Sequence, residues 1–124
     1  MAVELQGWDL GILKASADLS AYQFHGVKIS ATDFTAEPAT AGAADGVLQN
    51  KPAAAGRACQ VRRMGLTKVV LGGTVVAGYY GKTDASAHFV QADTDQDRYI
   101  VKFLEGGDSG DEVTALLECG FYNT

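Results

Sequence analysis

Two histidines and two cysteines are the residues of this sequence best suited to nucleophilic or metal chemistry. Covalent catalysis needs a nucleophile beside a base that a third group orients, and the only imidazoles are those of His25 and His88. Each lies in an aromatic, strand-like run, where a histidine is more often a packed structural residue. His25, Cys59, His88 and Cys119 lie about thirty residues apart, without the paired spacing of zinc ligands. We expect no catalytic residue, no metal and no cofactor, and no enzyme.

Two further segments resemble ligand sites. The alternating carboxylates of Asp93–Asp97 suit calcium, but Arg98 and Leu104 occupy the positions where an EF-hand loop requires glycine and glutamate. The glycine-rich run 106–110 lacks a Lys-Ser/Thr pair, has acidic neighbours and precedes a strand, which does not suit a phosphate cradle. We interpret the first segment as an acidic turn and the second as a hairpin loop.

The charge balance excludes two classes of partner. The 124 residues include ten Lys+Arg against fifteen Asp+Glu, a formal net charge of −5. Binding to nucleic acid or to an anionic membrane requires a basic surface, so we expect neither partner. There is no apolar run of membrane-spanning length and no signal-peptide pattern at the start, which favours synthesis in the cytoplasm. Two distant cysteines in that reducing compartment predict free thiols.

Short strands separated by turns must position any functional residue. Strand-like runs recur at 19–30, 46–50, 57–72, 74–76, 79–80, 88–91, 98–104 and 112–122, and no window has the pattern of a capped amphipathic helix. This predicts an all-β fold, a small single-domain β-barrel or sandwich of about seven or eight short strands.

Within that pattern we expect a break between two strands at Gly65 and a surface loop over 31–45. We also expect Tyr99, Val101 and Phe103 to share one face.

Residues 1–16 form a segment distinct from the β domain of residues 17–124. Trp8, Leu10 and Ile12 make it too apolar for a discarded tail. Two interpretations remain open: an irregular first strand that covers its own core, or an N-terminal arm that docks on a neighbouring subunit through tryptophan, a frequent hot-spot residue.

Basic residues concentrate between positions 57 and 68, with Arg62 and Arg63 adjacent. They form either a solvated strand face or a patch complementary to an acidic protein partner, where charge sets register and association rate.

The stretch Gly46–Gly73, GVLQNKPAAAGRACQVRRMGLTKVVLGG, resembles the DUF2190 family of tailed-phage capsid decoration (cement) proteins. The matching features are the GVLQNKP turn, the Ala/Gly linker and the GLTKVVLGG run; similarity extends over residues 17 to 119. Where that family carries Gly-Asp after its Ala-Gly step, this chain has Gly78-Tyr79-Tyr80-Gly81.

The resemblance implies a structural, non-enzymatic role on the virion. Such a protein binds the outer surface of the capsid lattice after synthesis in the host cytoplasm, with the major capsid protein as partner and homo-oligomers, trimers foremost, as the binding unit. From residue type alone, we expect the protein interface to include seven residues: Trp8, Leu10, Ile12, Arg62, Arg63, Tyr79 and Tyr80. The alternative is a β module that binds a small ligand or carbohydrate through Trp8, Tyr79, Tyr80 and Tyr122.

Overall fold

The computed structural model describes residues 7–123, which form ten β-strands and no helix. The all-β prediction is confirmed, with more strands than the seven or eight expected. The strands are β1 (Gly7–Leu10), β2 (Lys14–Ala15), β3 (Gly26–Ile29), β4 (Thr35–Pro38), β5 (Gly46–Leu48), β6 (Val61–Val70), β7 (Tyr80–Thr83), β8 (Phe89–Gln91), β9 (Arg98–Phe103) and β10 (Glu112–Phe121).

One sheet contains all ten strands in an open order. The path is β2-β4-β3-β5-β6-β10-β9-β7-β8, and β1 pairs with the other edge of β6. All pairs are antiparallel except β2 with β4. Isolated bridges join Lys14 to Ala58 and Leu71 to Phe89, so both ends of the path curl back to the segments that flank β6.

Two hydrophobic cores lie on opposite faces of the sheet. Adjacent strand residues point to opposite faces, and Val47 belongs to one core while Leu48 belongs to the other. The first core is built around Phe89, Phe103, Ile100, Val101 and Val69. The second core contains Leu13, Ala15, Leu19, Val27, Ala36, Leu48, Cys59 and Val61. We call the part of the molecule around each core one half. The central strand β6 contributes residues to both cores and therefore joins the two halves.

The predicted break at Gly65 is wrong, because β6 runs unbroken through it for ten residues. Gly65 has a φ of 94°, a left-handed conformation that glycine adopts without the steric penalty of a Cβ atom. Its neighbours on the two sides are Gly7 of β1 and Leu117 of β10. The glycine thus absorbs a local distortion in a paired strand rather than ending it.

Two local predictions fail because tertiary contacts override propensity. The expected loop over 31–45 contains β4, whose Ala36 is fully buried between β2 and β3. Tyr99 does not join Val101 and Phe103 in the first core; its ring stacks on Tyr80 instead. Packing of a half-buried residue depends on neighbours distant in sequence, which alternation alone does not reveal.

Part of the 1–16 segment pairs with this chain's own sheet. β1 lies along β6, and β2 lies beside β4. Leu13 and Ala15 are buried in the second core. Residues 7–15 therefore pair and pack with strands of their own chain, and residues 1–6 lie outside the described part. Docking of the segment on a neighbour stays a prediction.

Candidate protein-interaction surfaces

A row of half-buried and exposed side chains crosses the sheet on the face opposite the first core. The register aligns Leu66 of β6, Leu116 of β10, Lys102 of β9 and Tyr80 of β7. Trp8 of β1 pairs with Met64, two residues before Leu66 on the same face. We call this set the outer face: Trp8, Met64, Leu66, Leu116, Lys102 and Tyr80. Trp8 and Met64 are 55% and 63% exposed.

The end of the outer face at Tyr80 is aromatic and positively charged. The rings of Tyr80 and Tyr99 stack with centroids 4.0 Å apart, and Lys102 Nζ lies 5.3 Å from the centroid of Tyr80. Desolvation, with smaller contributions from Tyr80 and Glu118, raises the pKa of Tyr99, so its phenol stays neutral at physiological pH. The pair forms a rigid aromatic surface with a cation beside it.

Arg62 and Arg63 do not form a free basic patch. A bulge in β6 makes Arg63 an extra residue, since Trp8 pairs with Met64 and Asp9 with Arg62. The Arg62 guanidinium donates to Asp9 Oδ1 at 2.7 Å and to the carbonyl of Leu66 at 2.9 Å. These bonds connect β1 to β6, so the side chain of Arg62 stabilises the pairing of these two strands.

Arg63 likewise points into the chain's own hydrogen-bond network. It donates to the backbone carbonyl of Asp45, whose carboxylate accepts from Arg98 at 3.3 Å. Both arginines are half-buried. A contact of either with another protein stays a prediction.

Leu10 and Ile12 differ in burial although they are two residues apart. Leu10 is half-buried against the second core, where its pairing partner Val61 also lies. Ile12 is 58% exposed beyond the end of β1. Of the two predicted interface residues, Ile12 therefore presents much more of its side chain to a partner.

Tyr79 belongs to a second exposed apolar surface, the loop patch of Val76, Tyr79 and Leu104. The amide of Tyr79 donates to the carbonyl of Val76 at 3.3 Å, and the carbonyl of Tyr79 accepts from Phe103, the residue before Leu104, at 2.9 Å. All three side chains are about half exposed. The backbone bonds hold the loop patch in one place on the domain.

His25 and His88 meet at the junction of the two halves of the molecule. Their ring centroids are 4.8 Å apart, and Tyr22 packs edge-on against His25 at 5.4 Å. His25 Nδ1 lies 3.0 Å from the carbonyl of Gln23. Burial lowers the pKa of His25, and His88 adds to this shift. This arrangement suits a packed structural histidine.

The cysteines are distant from that pair and from each other. Cys59 is buried in the second core, and burial raises the pKa of its thiol. Cys119 is exposed on β10. Both thiols are free. Residues 7–123 contain no group of three or more His, Cys, Asp or Glu side chains placed to hold a metal ion.

The acidic run and the glycine-rich run have structural roles. Asp97 accepts from Lys82 Nζ at 2.8 Å and from the amide of Thr94 at 3.0 Å, and the hydrogen bond from Lys82 lowers its pKa. The 106–110 run lies in the loop that joins β9 to β10, as predicted.

The part of the chain that the structure describes, residues 7–123, contains no pocket. In the same part of the chain, no helix has the length and hydrophobicity needed to cross a membrane.

Side chains of the GVLQNKP motif connect two segments of the chain by hydrogen bonds. Asn50 donates to the carbonyl of Ala58 at 2.9 Å and accepts from the amide of Gln60 at 3.0 Å. The Gln49 side chain donates to Thr67 Oγ1 at 2.8 Å. These side chains bind the end of β5 to the segment that follows the Ala/Gly linker.

Sequence reasoning missed several exposed apolar residues, among them Met64, Leu116 and Phe34. Met64 and Leu116 complete the outer face, and Phe34 is 58% exposed on a hairpin with a φ of 53°. Met64 and Leu116 lie in strand-like runs where alternation marks one face as polar or apolar only when the partner strands are known. No sequence signal separates them from core residues.

No family model matches this chain, and no curated protein matches it. Membership of the family that the sequence resembles therefore stays a prediction. Among solved structures, the fold is similar to the crystal structure of the head fiber gp8.5 N base in bacteriophage phi29, with a TM-score of 0.68 and 16% sequence identity. The alignment covers 96% of this chain and 100% of that chain. The chain thus shares its fold, over nearly its whole length, with the base of a phage head fiber.

Proposed function

We propose that this chain is a non-enzymatic structural protein of a tailed-phage head. It binds the major capsid protein on the outer surface of the capsid lattice, as a homo-oligomer with a trimer as the favoured order, and stabilises the shell. The observation that carries the proposal is the fold likeness to a head-fiber base across both chains. The resemblance of residues 17–119 to capsid decoration proteins supports the same role independently.

The physical basis of such a role is repetition. Each copy needs only a modest contact, because an oligomer that engages several lattice points at once gains effective concentration from every point already bound. An open, rigid sheet with tight backbone pairing presents loops at fixed positions and loses little entropy on binding. The net charge of −5 favours a partner surface that is basic or neutral.

The loop patch is the surface we assign to the lattice contact. Tyr79 supplies an amphipathic ring that is 47% exposed, and Val76 and Leu104 flank it. Aromatic residues with apolar neighbours contribute much of the energy at protein interfaces. Because loops at the end of a sheet can change without disturbing the core, this surface can lose contacts while the fold persists.

The test is binding to heads that lack the protein, prepared from the phage that encodes it. We expect the purified chain to co-sediment with these heads and to raise the temperature at which they release DNA. Tyr79→Ser with Leu104→Ser should weaken binding at least about tenfold, because each truncation removes about 1 kcal/mol or more at a hot spot.

Ile29→Ser is the matched control, since Ile29 is similarly exposed at 51% but lies on β3. It should bind as the wild type does. Heads that neither retain the wild-type chain nor gain heat tolerance would contradict the proposal.

A further inference from the structure

The outer face combines an apolar centre with a sheet edge that no described strand covers. Trp8 and Met64 form one cross-strand pair, and Leu66 and Leu116 form the next. Directly opposed residues have Cβ atoms about 5 Å apart, so the two pairs make a continuous apolar surface. Among residues 7–123, β1 pairs only with β6, which leaves its outer edge beside Trp8 unpaired. Contiguous exposed apolar surfaces of this kind mark interaction sites.

The charge of the outer face differs from that of the rest of the chain. The strand register places Lys68, Lys102 and Glu112 on this side of β6, β9 and β10. A fourth charged side chain, Glu118, acts on Tyr99, whose ring stacks on Tyr80 of the outer face. Two are basic and two are acidic, so this face is neutral. Lys82 on β7 adds no net charge because it is paired with Asp97 at 2.8 Å. The whole chain has ten basic and fifteen acidic residues. Without these two lysines and two glutamates, eight basic and thirteen acidic residues remain, and they carry the whole net charge of −5.

This charge distribution favours a second copy of the chain as the partner of the outer face. Two copies of an acidic chain repel each other when most of their surfaces approach. The outer face is the region where apolar surface can be buried without that repulsion, and its lysines and glutamates can pair across the contact. A basic partner would instead be drawn to the acidic remainder of the surface. We propose that the outer face is the self-association surface, where one copy of this chain binds another.

The inference deepens the proposed function, because it names the surface that builds the oligomer, but its test requires no capsid. The mass of the wild-type chain in solution is measured by sedimentation velocity over a range of concentrations. We expect a species that is a multiple of the 13.0 kDa chain. The mass should change little with added salt, because burial of apolar surface rather than net attraction stabilises the contact.

The variant Met64→Glu with Leu116→Glu places like charges opposite one another in the contact. Both side chains are exposed, so the monomer should keep its fold and its circular dichroism spectrum. We expect self-association to weaken at least about tenfold. The matched control, Ile29→Glu with Phe34→Glu, adds the same charge at exposed sites outside both the outer face and the loop patch and should associate as the wild type does.

Trp8 provides a second measurement, because it is the only tryptophan in the chain. Its side chain is 55% exposed in the single chain, so association should shield it from a soluble quencher as concentration rises. The same protection should be absent in the Met64→Glu, Leu116→Glu variant.

A wild-type chain that stays monomeric, or a control that dissociates as readily as the variant, would overturn the inference. An intact oligomer that fails to bind heads would instead count against the proposed function alone.

Discussion

His25 lies where the two halves of the molecule meet. The next residue, Gly26, donates its amide to the carbonyl of Ala87 at 2.9 Å, which joins the start of β3 to the turn before β8. His88 follows that turn, and Asp84 Oδ2 lies 3.9 Å from its Nδ1. The groups that face His25 are therefore the His88 ring, the Tyr22 ring, the Gln23 carbonyl and, more weakly, Asp84. A charge on His25 would be only partly compensated.

The pH dependence of stability follows from that environment. Burial lowers the pKa of His25 in the folded chain, whereas an unfolded histidine titrates near its usual value of about 6.5. Below that value the unfolded chain binds more protons, so the free energy of unfolding should fall as the pH falls from about 7 to about 5. The slope should stay under about 1.4 kcal/mol per pH unit, the limit for one proton.

The measurement is thermal unfolding across that pH range for the wild type and His25→Gln, which should show a flatter profile. The carboxylates of Asp18 and Asp97 also have lowered pKa values, but they cost stability only at more acidic pH. An equally steep profile in both proteins would exclude His25 as the cause.

At the scale of elements, β6 is the strand on which the fold depends. It pairs with β1 and β5 in its first half and with β10 in its second. Two irregularities adapt it to these partners: the extra residue Arg63 and the left-handed Gly65. Such distortions increase the local twist of a strand, which is consistent with the passage of β6 from one core to the other.

Gly65→Ala should lower the free energy of unfolding by about 1–2 kcal/mol, because an L-residue is disfavoured at a φ of 94°. Chemical denaturation measures the change. Gly11→Ala is the control: Gly11 has an ordinary φ and no atom within 4 Å of an added Cβ, so its effect should be within about 0.5 kcal/mol. If Gly65→Ala and Gly11→Ala were equally stable, the backbone conformation at position 65 would not disfavour a side chain.

At the scale of the whole molecule, the start of the chain completes the second core. Leu13 and Ala15 are 5% and 3% exposed, and Cys59 donates its amide to the carbonyl of Leu13 at 2.9 Å. The first core does not include them. The two halves thus differ in their dependence on the N-terminal segment, although β6 couples them into one sheet.

Removal of residues 1–16 should therefore destabilise the domain by at least about 3 kcal/mol, since it deletes two strands and leaves a cavity where Leu13 packs. Melting followed by circular dichroism measures this loss, and sedimentation of the same truncated chain reports its mass. A truncated chain that melts with the full-length one but loses its oligomeric mass would show that the segment serves a neighbour rather than its own core.

The predicted interface residues separate into groups that the sequence did not distinguish. Trp8 and Tyr80 lie at opposite ends of the outer face, while Tyr79, the residue beside Tyr80, belongs to the loop patch. Arg62 was chosen for its side-chain type, but it binds Asp9 on the same chain. Residue type indicates what a side chain can contribute to an interface. Which side chains are available depends on pairings between residues distant in sequence, such as Asp9 with Arg62 and Tyr80 with Lys102.

The all-β class and the hairpin loop before β10 could be predicted from the sequence, because turn glycines and strand periodicity act over a few residues. Three other features depend on tertiary contacts: β4 forms, the ring of Tyr99 stacks on Tyr80 outside the first core, and Trp8 pairs with Met64. Each of these depends on strand pairing across a long stretch of chain. Local propensity carries no information about which distant strand will supply the hydrogen bonds and bury the side chain.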